Sequence, residues 1–468
     1  VMTNFSTGQW PKATLLLSPR VGFRWKVPTE KGLVIRGGAG IFTGKIPFVF
    51  LTNMPSGSGV YQNGVVLNTP AQLAAITFNK DPDAYRSLFP STITATAPGS
   101  FTLIDPNFKF PQVFRTNFGF DKQLGNGFTA TLDLMYTKDL NAVKMRNVNM
   151  VAPTAVLSGE DGRPYYNAGV PKVVPSVGTV IILENTKKGY SFSTTAQISK
   201  SFSKGFYGSI AYTYTLATEI SSNPGSQATS AWQSIINRGT PNDEELYKSA
   251  YATPHRVVGN LSYRFEYLKH MATTISFYYE GASQGNYSYI VGGDINKDGN
   301  GSSDLMYIYA KGSDVPFIDV KSGSIIKYSV KQQQDAYDQL VASSPYLSKH
   351  KGQYAERNSA TTPWYNRVDA RLLQDFFINA GGKRHTIQFS VDVINLPNLL
   401  NRNWGIRDGY TVNNPLSLKA ITAAGAPTFN LVEITNPDGS KGLVTNAFRK
   451  NTGFSTTWGM QIGVRYLF

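Results

Sequence analysis

Phe454-Ser455-Thr456-Thr457-Trp458-Gly459-Met460-Gln461-Ile462-Gly463-Val464-Arg465-Tyr466-Leu467-Phe468 closes the chain, and its alternation decides the fold class. Phe454, Thr456, Trp458, Met460, Ile462, Val464, Tyr466 and Phe468 fall on one face, and Ser455, Thr457, Gly459, Gln461, Gly463, Arg465 and Leu467 on the other. The first face is apolar and aromatic; the second is mostly small or polar. Successive strand residues point to opposite faces, so this period suits a strand with hydrocarbon on one side and water or a plug on the other.

Working back from that strand, the same period recurs in pairs. Val21, Phe23, Trp25 and Val27 lead through Pro28 to Gly32 into Leu33, Ile35, Gly37, Ala39 and Ile41. Phe114 to Phe120 leads through Gly125-Asn126-Gly127 into Phe128 to Tyr136, and Tyr190 to Phe202 turns at Ser203-Lys204-Gly205 into Phe206 to Leu216. His255 to Phe265 turns near Glu266 to His270 into Thr273 to Tyr279, and Trp364 to Phe377 turns at Asn379 to Lys383 into Ile387 to Val393. Short Gly-, Pro- or Asn-bearing links are what hairpins require. Between the hairpins run long connections: 44–110, 141–189, 221–254, 282–363 and 395–453. Short turns at one end and long loops at the other predict an all-β, transmembrane antiparallel β-barrel with periplasmic turns and extracellular loops.

Composition agrees. Aromatic residues make up 13 % of the chain and charged residues only 16 %, against roughly 25 % charged in an ordinary soluble domain. Mean hydropathy is −0.22, and no window approaches the ~20 consecutive apolar residues of a membrane helix. The absence of cysteine excludes disulfides and thiolate metal sites. Val1-Met2-Thr3-Asn4 carries no secretory-signal pattern. The formal charge of +15 is spread thinly, the densest clusters being Lys187-Lys188 and Lys383-Arg384-His385, so no nucleic-acid partner is expected. Basic loops facing phosphorylated lipopolysaccharide explain the charge more economically.

Strand parity carries a further expectation. Five hairpins and the last strand make about 11 strands, with the first and last running the same way, whereas single-chain bacterial barrels have an even count. The chain is therefore expected to supply half of a barrel of about 22 strands, the size of a plugged outer-membrane transporter. Within the connection 282–363, Val330 to Ala342 places Val330, Ala336, Tyr337, Leu340 and Val341 on one face and predicts a short helix.

The best local motif is Asp294-Ile295-Asn296-Lys297-Asp298-Gly299-Asn300-Gly301-Ser302-Ser303-Asp304. Oxygen ligands at the first, third and fifth positions with Gly at the sixth are what a Ca²⁺ loop needs, because calcium takes six to eight hard oxygens. The candidate ligands are Asp294, Asn296, Asp298, Asn300 and Asp304; the twelfth position is Leu305, and the closing acid falls one residue earlier. An Asx- and Gly-rich turn without an ion is the alternative. Gly37-Gly38-Ala39-Gly40 lacks nucleotide-loop spacing and reads as small residues making room for a neighbour. His255, His270, His350 and His385 show no zinc spacing, and no Ser, His and acid combination stands out, so no enzyme is expected.

Several stretches resemble the Oar-like branch of TonB-dependent outer-membrane receptors of Bacteroidetes and other Gram-negative bacteria. They include Ser18-Pro19-Arg20-Val21-Gly22-Phe23, Arg36-Gly37-Gly38-Ala39-Gly40-Ile41-Phe42-Thr43-Gly44, Pro254-His255-Arg256 with Ser262-Tyr263-Arg264-Phe265, and Gly293-Asp294-Ile295-Asn296 through Asp304-Leu305. Asp369-Ala370-Arg371, Gln374-Asp375-Phe376, Asp392-Val393-Ile394-Asn395 and Asn398-Leu399-Leu400-Asn401-Arg402-Asn403-Trp404-Gly405 continue the series. The resemblance implies a barrel of about 22 strands, of which residues 1–468 form the C-terminal half. The plug, and any N-terminal carboxypeptidase-regulatory-like domain, are expected to lie outside this chain. It further implies import of a bulky or scarce ligand, driven through that plug by TonB, ExbB and ExbD, with surface lipoproteins as further partners. The terminal face of Trp458, Met460, Ile462, Val464, Tyr466 and Phe468 resembles the signal read by the barrel-assembly machinery. No motif in the loops specifies the ligand, and an outer-membrane scaffold that transports nothing is the alternative.

Overall fold

Eleven long strands follow one another in a single antiparallel meander. They are β1 (Arg20–Lys26), β2 (Leu33–Thr43), β3 (Gln112–Gly125), β4 (Phe128–Asp139), β5 (Tyr190–Ser201), β6 (Phe206–Glu219), β7 (His255–Tyr267), β8 (Met271–Tyr287), β9 (Ala360–Ala380), β10 (Lys383–Ile394) and β11 (Gly459–Leu467). The computed structural model describes residues 5–30, 32–60, 67–74, 76–89, 99–201 and 205–468. Val1 to Asn4 and the Phe202, Ser203 and Lys204 portion of the third hairpin lie outside the described residues. A two-residue strand, Tyr247–Lys248, extends the far end of β6. The sheet does not close: among the described residues β1 and β11 are each paired along one edge only.

The sequence period sets the two faces. Phe23, Trp25, Phe118, Leu132, Ile210, Leu261, Phe277, Leu372, Phe389 and Ile462 are all exposed on the outer side. Register keeps the pattern across strands: Phe389 faces Val464 and Val391 faces Ile462, so apolar residues meet apolar residues. Aromatic side chains mark both margins of the band, with Trp25, Phe265, Phe376 and Tyr466 near the short turns and Tyr136, Tyr212, Trp364 and Trp458 near the long connections. Two aromatic girdles around an outward apolar band are the mark of a barrel wall in a bilayer.

Among the described residues the hairpin links lie at one end. Two of them have only two residues between strands, Asn126-Gly127 between β3 and β4 and, between β9 and β10, Gly381 (φ 60°) and Gly382 (φ 76°). Two consecutive left-handed residues match the right-handed twist of the flanking strands, a conformation that glycine adopts freely at Gly381 and Gly382 and that asparagine also tolerates at Asn126. The β7–β8 link puts Leu268 (φ 49°) and Lys269 (φ 56°) in the same region without that freedom.

One boundary differs from the sequence expectation. The last strand begins at Gly459 and not at Phe454. Its partner β10 ends at Ile394, because Asn395 turns left-handed at φ 54°. Before Gly459 the backbone is held by side chains instead: Asn395 Nδ2 donates to the Thr456 carbonyl at 2.9 Å, and the Trp458 amide donates to Asn398 Oδ1 at 3.0 Å.

At the opposite end the long connections fold together. One core joins Leu157 and Tyr165 to Tyr289, Ile308, Tyr337 and Leu340, and to Phe429, Leu431 and Val444, so three connections share it. A second joins Phe50 and Met54 to Met145, Ile181, Leu183 and Trp232, drawing in the other two. The expected helix is present as α1 (Val330–Ser343). It starts at a capping box in which the Ser329 hydroxyl accepts from the Gln332 amide at 3.3 Å and Gln332 Oε1 accepts from the Ser329 amide at 2.8 Å. Ala336, Tyr337, Leu340 and Val341 are buried as the period predicts. Gln333 is fully buried too, because its Nε2 donates to the Ile318 carbonyl at 2.7 Å and its Oε1 accepts from the Leu431 amide at 3.0 Å.

Candidate functional site

The inner face of the sheet is polar, and several of its charges are matched across strands. Arg36 on β2 reaches past β3 to Asp133 on β4 at 2.7 Å and bonds Asp121 on β3 at 3.0 Å. Gly119 stands between them: a Cβ there would lie 2.7 Å from Asp133 Oδ1 and 2.8 Å from Arg36 Cζ. Farther along, Arg264 meets Asp375 at 2.6 Å, Arg256 meets Glu280 at 2.7 Å, and Arg371 pairs with Asp392. Such a wall is suited to water or to a polar body packed against it, and not to hydrocarbon.

Where this wall meets the folded connections, a cleft of about 840 Å³ opens. Arg407, Arg449 and Lys450 line it opposite the single carboxylate of Asp408, beside Asn286 and Thr362. Asn286 Oδ1 and Thr362 Oγ1 are buried there without hydrogen-bond partners. Arg407 is anchored by a 2.9 Å bond to the Tyr365 hydroxyl, which in turn donates to Glu280 at 2.7 Å. The cleft is thus cationic, hydrogen-bonding and aromatic-sided. Sequence reasoning misses it because its residues come from β8, β9 and the connection 395–453, with no local pattern linking them.

The Asp294 loop lies elsewhere in the cap. Its side chains fold back on its own amides: Asp294 Oδ1 and Oδ2 accept from the Asp298 and Gly299 amides at 3.0 and 2.8 Å, Asn296 Oδ1 accepts from Asp298 at 2.9 Å, and Asp298 Oδ1 accepts from Asn300 at 2.9 Å. Asn300 Nδ2 leaves the loop to bond the Gln233 carbonyl. Asp304 is fully buried, with Oδ2 accepting from the Ile295 amide at 3.1 Å. Burial pushes the Asp298 carboxyl up to about 6, with Asp294 nearby adding to the rise. Burial pushes Asp304 up to about 8, opposed by Arg163 and reinforced by Asp298 and Asp294. The structure therefore gathers Asp294, Asn296, Asp298, Asn300 and Asp304 into one neighbourhood. Among the described residues no three His, Cys, Asp or Glu side chains are placed to hold an ion by themselves, so an ion here would also draw on amide and backbone oxygens.

The terminal residues Trp458, Met460, Ile462, Val464, Tyr466 and Phe468 all project from the outer face and are exposed. Met460, Ile462, Val464 and Tyr466 belong to β11, and Trp458 and Phe468 flank it.

The outer membrane β-barrel domain family matches residues 3–428. No curated protein matches the chain. Among solved structures, the outer membrane transporter YddB of Escherichia coli is similar at 11 % identity and a TM-score of 0.40, covering 96 % of this chain and 40 % of its own. A ferric enterobactin receptor of Pseudomonas aeruginosa gives 9 % identity and a TM-score of 0.35 over 81 % of this chain and 34 % of its own. The toluene transporter TbuX of Ralstonia pickettii gives 10 % and 0.20, over 80 % and 75 %. The chain spans about a third to two-fifths of the length of the first two.

Proposed function

The chain belongs to the outer membrane β-barrel domain family and is integral to the outer membrane, and from that premise we propose that it is part of a TonB-dependent transporter. Its eleven-strand sheet is read as the C-terminal half of a barrel of about 22 strands. Its polar inner face lies against a plug that TonB, ExbB and ExbD act upon. The role is import and not catalysis. The terminal aromatic face addresses the barrel-assembly machinery, and the basic loops face lipopolysaccharide. The Oar-like branch, with its Bacteroidetes setting, remains the subtype that the sequence resembles.

The observation that carries this reading is the cationic cleft at the mouth of the inner wall. It offers Arg407, Arg449 and Lys450 to a ligand arriving from outside before that ligand meets the ion-paired wall. The test is uptake by cells expressing the native gene, with and without TonB, for the wild type and for Arg449→Ala with Lys450→Ala. Uptake that needs TonB and falls in the double variant supports the proposal; uptake indifferent to TonB overturns it. The scaffold alternative draws on the hairpin of Val320–Ser322 and Ile325–Tyr328, whose Ile325 and Ile326 are exposed as a partner surface. A protein partner, a surface lipoprotein above all, captured through that hairpin in cells that show no uptake would favour it.

A further inference from the structure

We propose that the Asp294–Asp304 loop is a divalent-cation site of the calcium class, and that the ion pins three extracellular connections to one another. The inference does not rest on the transport reading. The loop bonds described above form a turn whose backbone needs Lys297 at φ 55° and Gly299 at φ 93°, and by themselves they require no ion. The independent observation is Asp304. It is fully buried, and its Oδ1 has no hydrogen-bond partner. The nearest cation, Arg163 Nη1, is 3.9 Å away. Arg163 already donates two bonds to Asp161, at 2.7 and 2.9 Å. Asn237, which forms a β-bridge with Asp304, also leaves its Oδ1 buried and unpartnered.

Charge points the same way. Asp161 and Asp304 share the one buried guanidinium of Arg163, Asp294 and Asp298 act on Asp304 from the loop, and a buried carboxylate short of counter-charge is costly. Calcium answers this chemistry because it accepts six to eight oxygens in irregular geometry, whereas magnesium demands a near-ideal octahedron. Asp294, Asn296, Asp298 and Asp304 would provide side-chain oxygens, completed by backbone and water.

The loop is also where connections cross. Asn296 Nδ2 donates to the Gly239 carbonyl at 2.6 Å, the Tyr166 amide donates to the Asn296 carbonyl at 2.8 Å, and the Asn237 amide donates to the Ser303 carbonyl at 2.9 Å. Ordering the loop therefore orders segments of 141–189 and 221–254 as well.

The experiment uses the full chain in lipid vesicles, stripped with chelator and titrated with Ca²⁺ alone or Mg²⁺ alone, read by calorimetry and by hydrogen exchange. Calcium is expected to bind at about 10⁻⁴ to 10⁻³ M or tighter, the range of extracellular modules, and to slow exchange of the Tyr166 and Asn237 amides. Asp294→Asn and Asp298→Asn are expected to weaken binding about tenfold or more, because ligand charge sets affinity; Lys331→Ala, on the exposed face of α1, should change nothing. Wild-type protein that shows neither heat nor slowed exchange at about 10 mM Ca²⁺, well above that range, overturns the proposal. So does equal binding by Asp298→Asn. The wild-type titration decides the matter even where a variant does not fold.

Discussion

Replacing Asp161 by Ala would strip a wholly buried arginine of its main anion. Arg163 has no solvent exposure. Besides the two bonds it donates to Asp161, it donates to the Leu305 carbonyl at 2.7 Å and lies 5.4 Å from the Tyr354 ring. Burial works against its charge, and Asp161 opposes that effect. In Asp161→Ala the guanidinium keeps its desolvation penalty and loses its counter-charge, a change that costs about 3–5 kcal/mol in buried pairs. Asp304 at 3.9 Å can take up part of the charge, so the expected loss is near the lower end, about 3 kcal/mol. As a local opening equilibrium that is about a hundredfold loss of protection. Hydrogen exchange on the chain in vesicles would read it at the Leu157 and Tyr166 amides, bonded to the Arg163 and Asn296 carbonyls, with amides of β9 and β10 as internal reference. The double change Asp161→Leu with Arg163→Met removes penalty and pair together, and should fall within about 2 kcal/mol of wild type. Protection within about threefold of wild type in Asp161→Ala, or a double variant worse than the single, would refute the argument that the pair holds this part of the cap.

Three further outcomes are expected. Gly119→Ala should destabilise the sheet by about 1–3 kcal/mol through overpacking against Arg36 and Asp133, measured by urea unfolding in vesicles, and adding Asp133→Ala should return part of the loss. Glu244 is held below the usual carboxylate range by its hydrogen bond from Lys144, with Lys188 assisting at 3.2 Å. Because the folded value is depressed, this tie is fully present above about pH 4.3 and is lost as pH falls through the lower folded value. Acid-dependent exchange of the segment 242–248 should show that loss in wild type and a flattened profile in Lys144→Met. Finally, Lys269→Gly should relieve left-handed strain in the β7–β8 turn and raise stability by up to about 1 kcal/mol; a lower unfolding midpoint would contradict it.

Much of the barrel wall was legible because it is written locally. The five hairpins, the eleven-strand count and α1 follow from periods of two and of three to four residues, each contained within a short window. The start of the last strand was misplaced because alternation continues to Phe454 while hydrogen bonding stops with Ile394, and only the partner strand knows where that is. The calcium-like spacing was visible, as was the off-pattern acid at Asp304; its burial and its orphaned oxygen were not.

The strand from Gly459 to Leu467 shows the division. Its alternating faces, and hence the outer apolar band and polar inner wall, were determined by sequence alone, since a strand has only two sides and the period assigns them. The connections are the reverse case. That five stretches read as loops share two cores, that Arg407 and Arg449 converge on one cleft, and that Arg163 meets Asp161 and Asp304 was decided only by tertiary structure. Those contacts join residues far apart in sequence, and no local period encodes which distant surfaces will exclude water together.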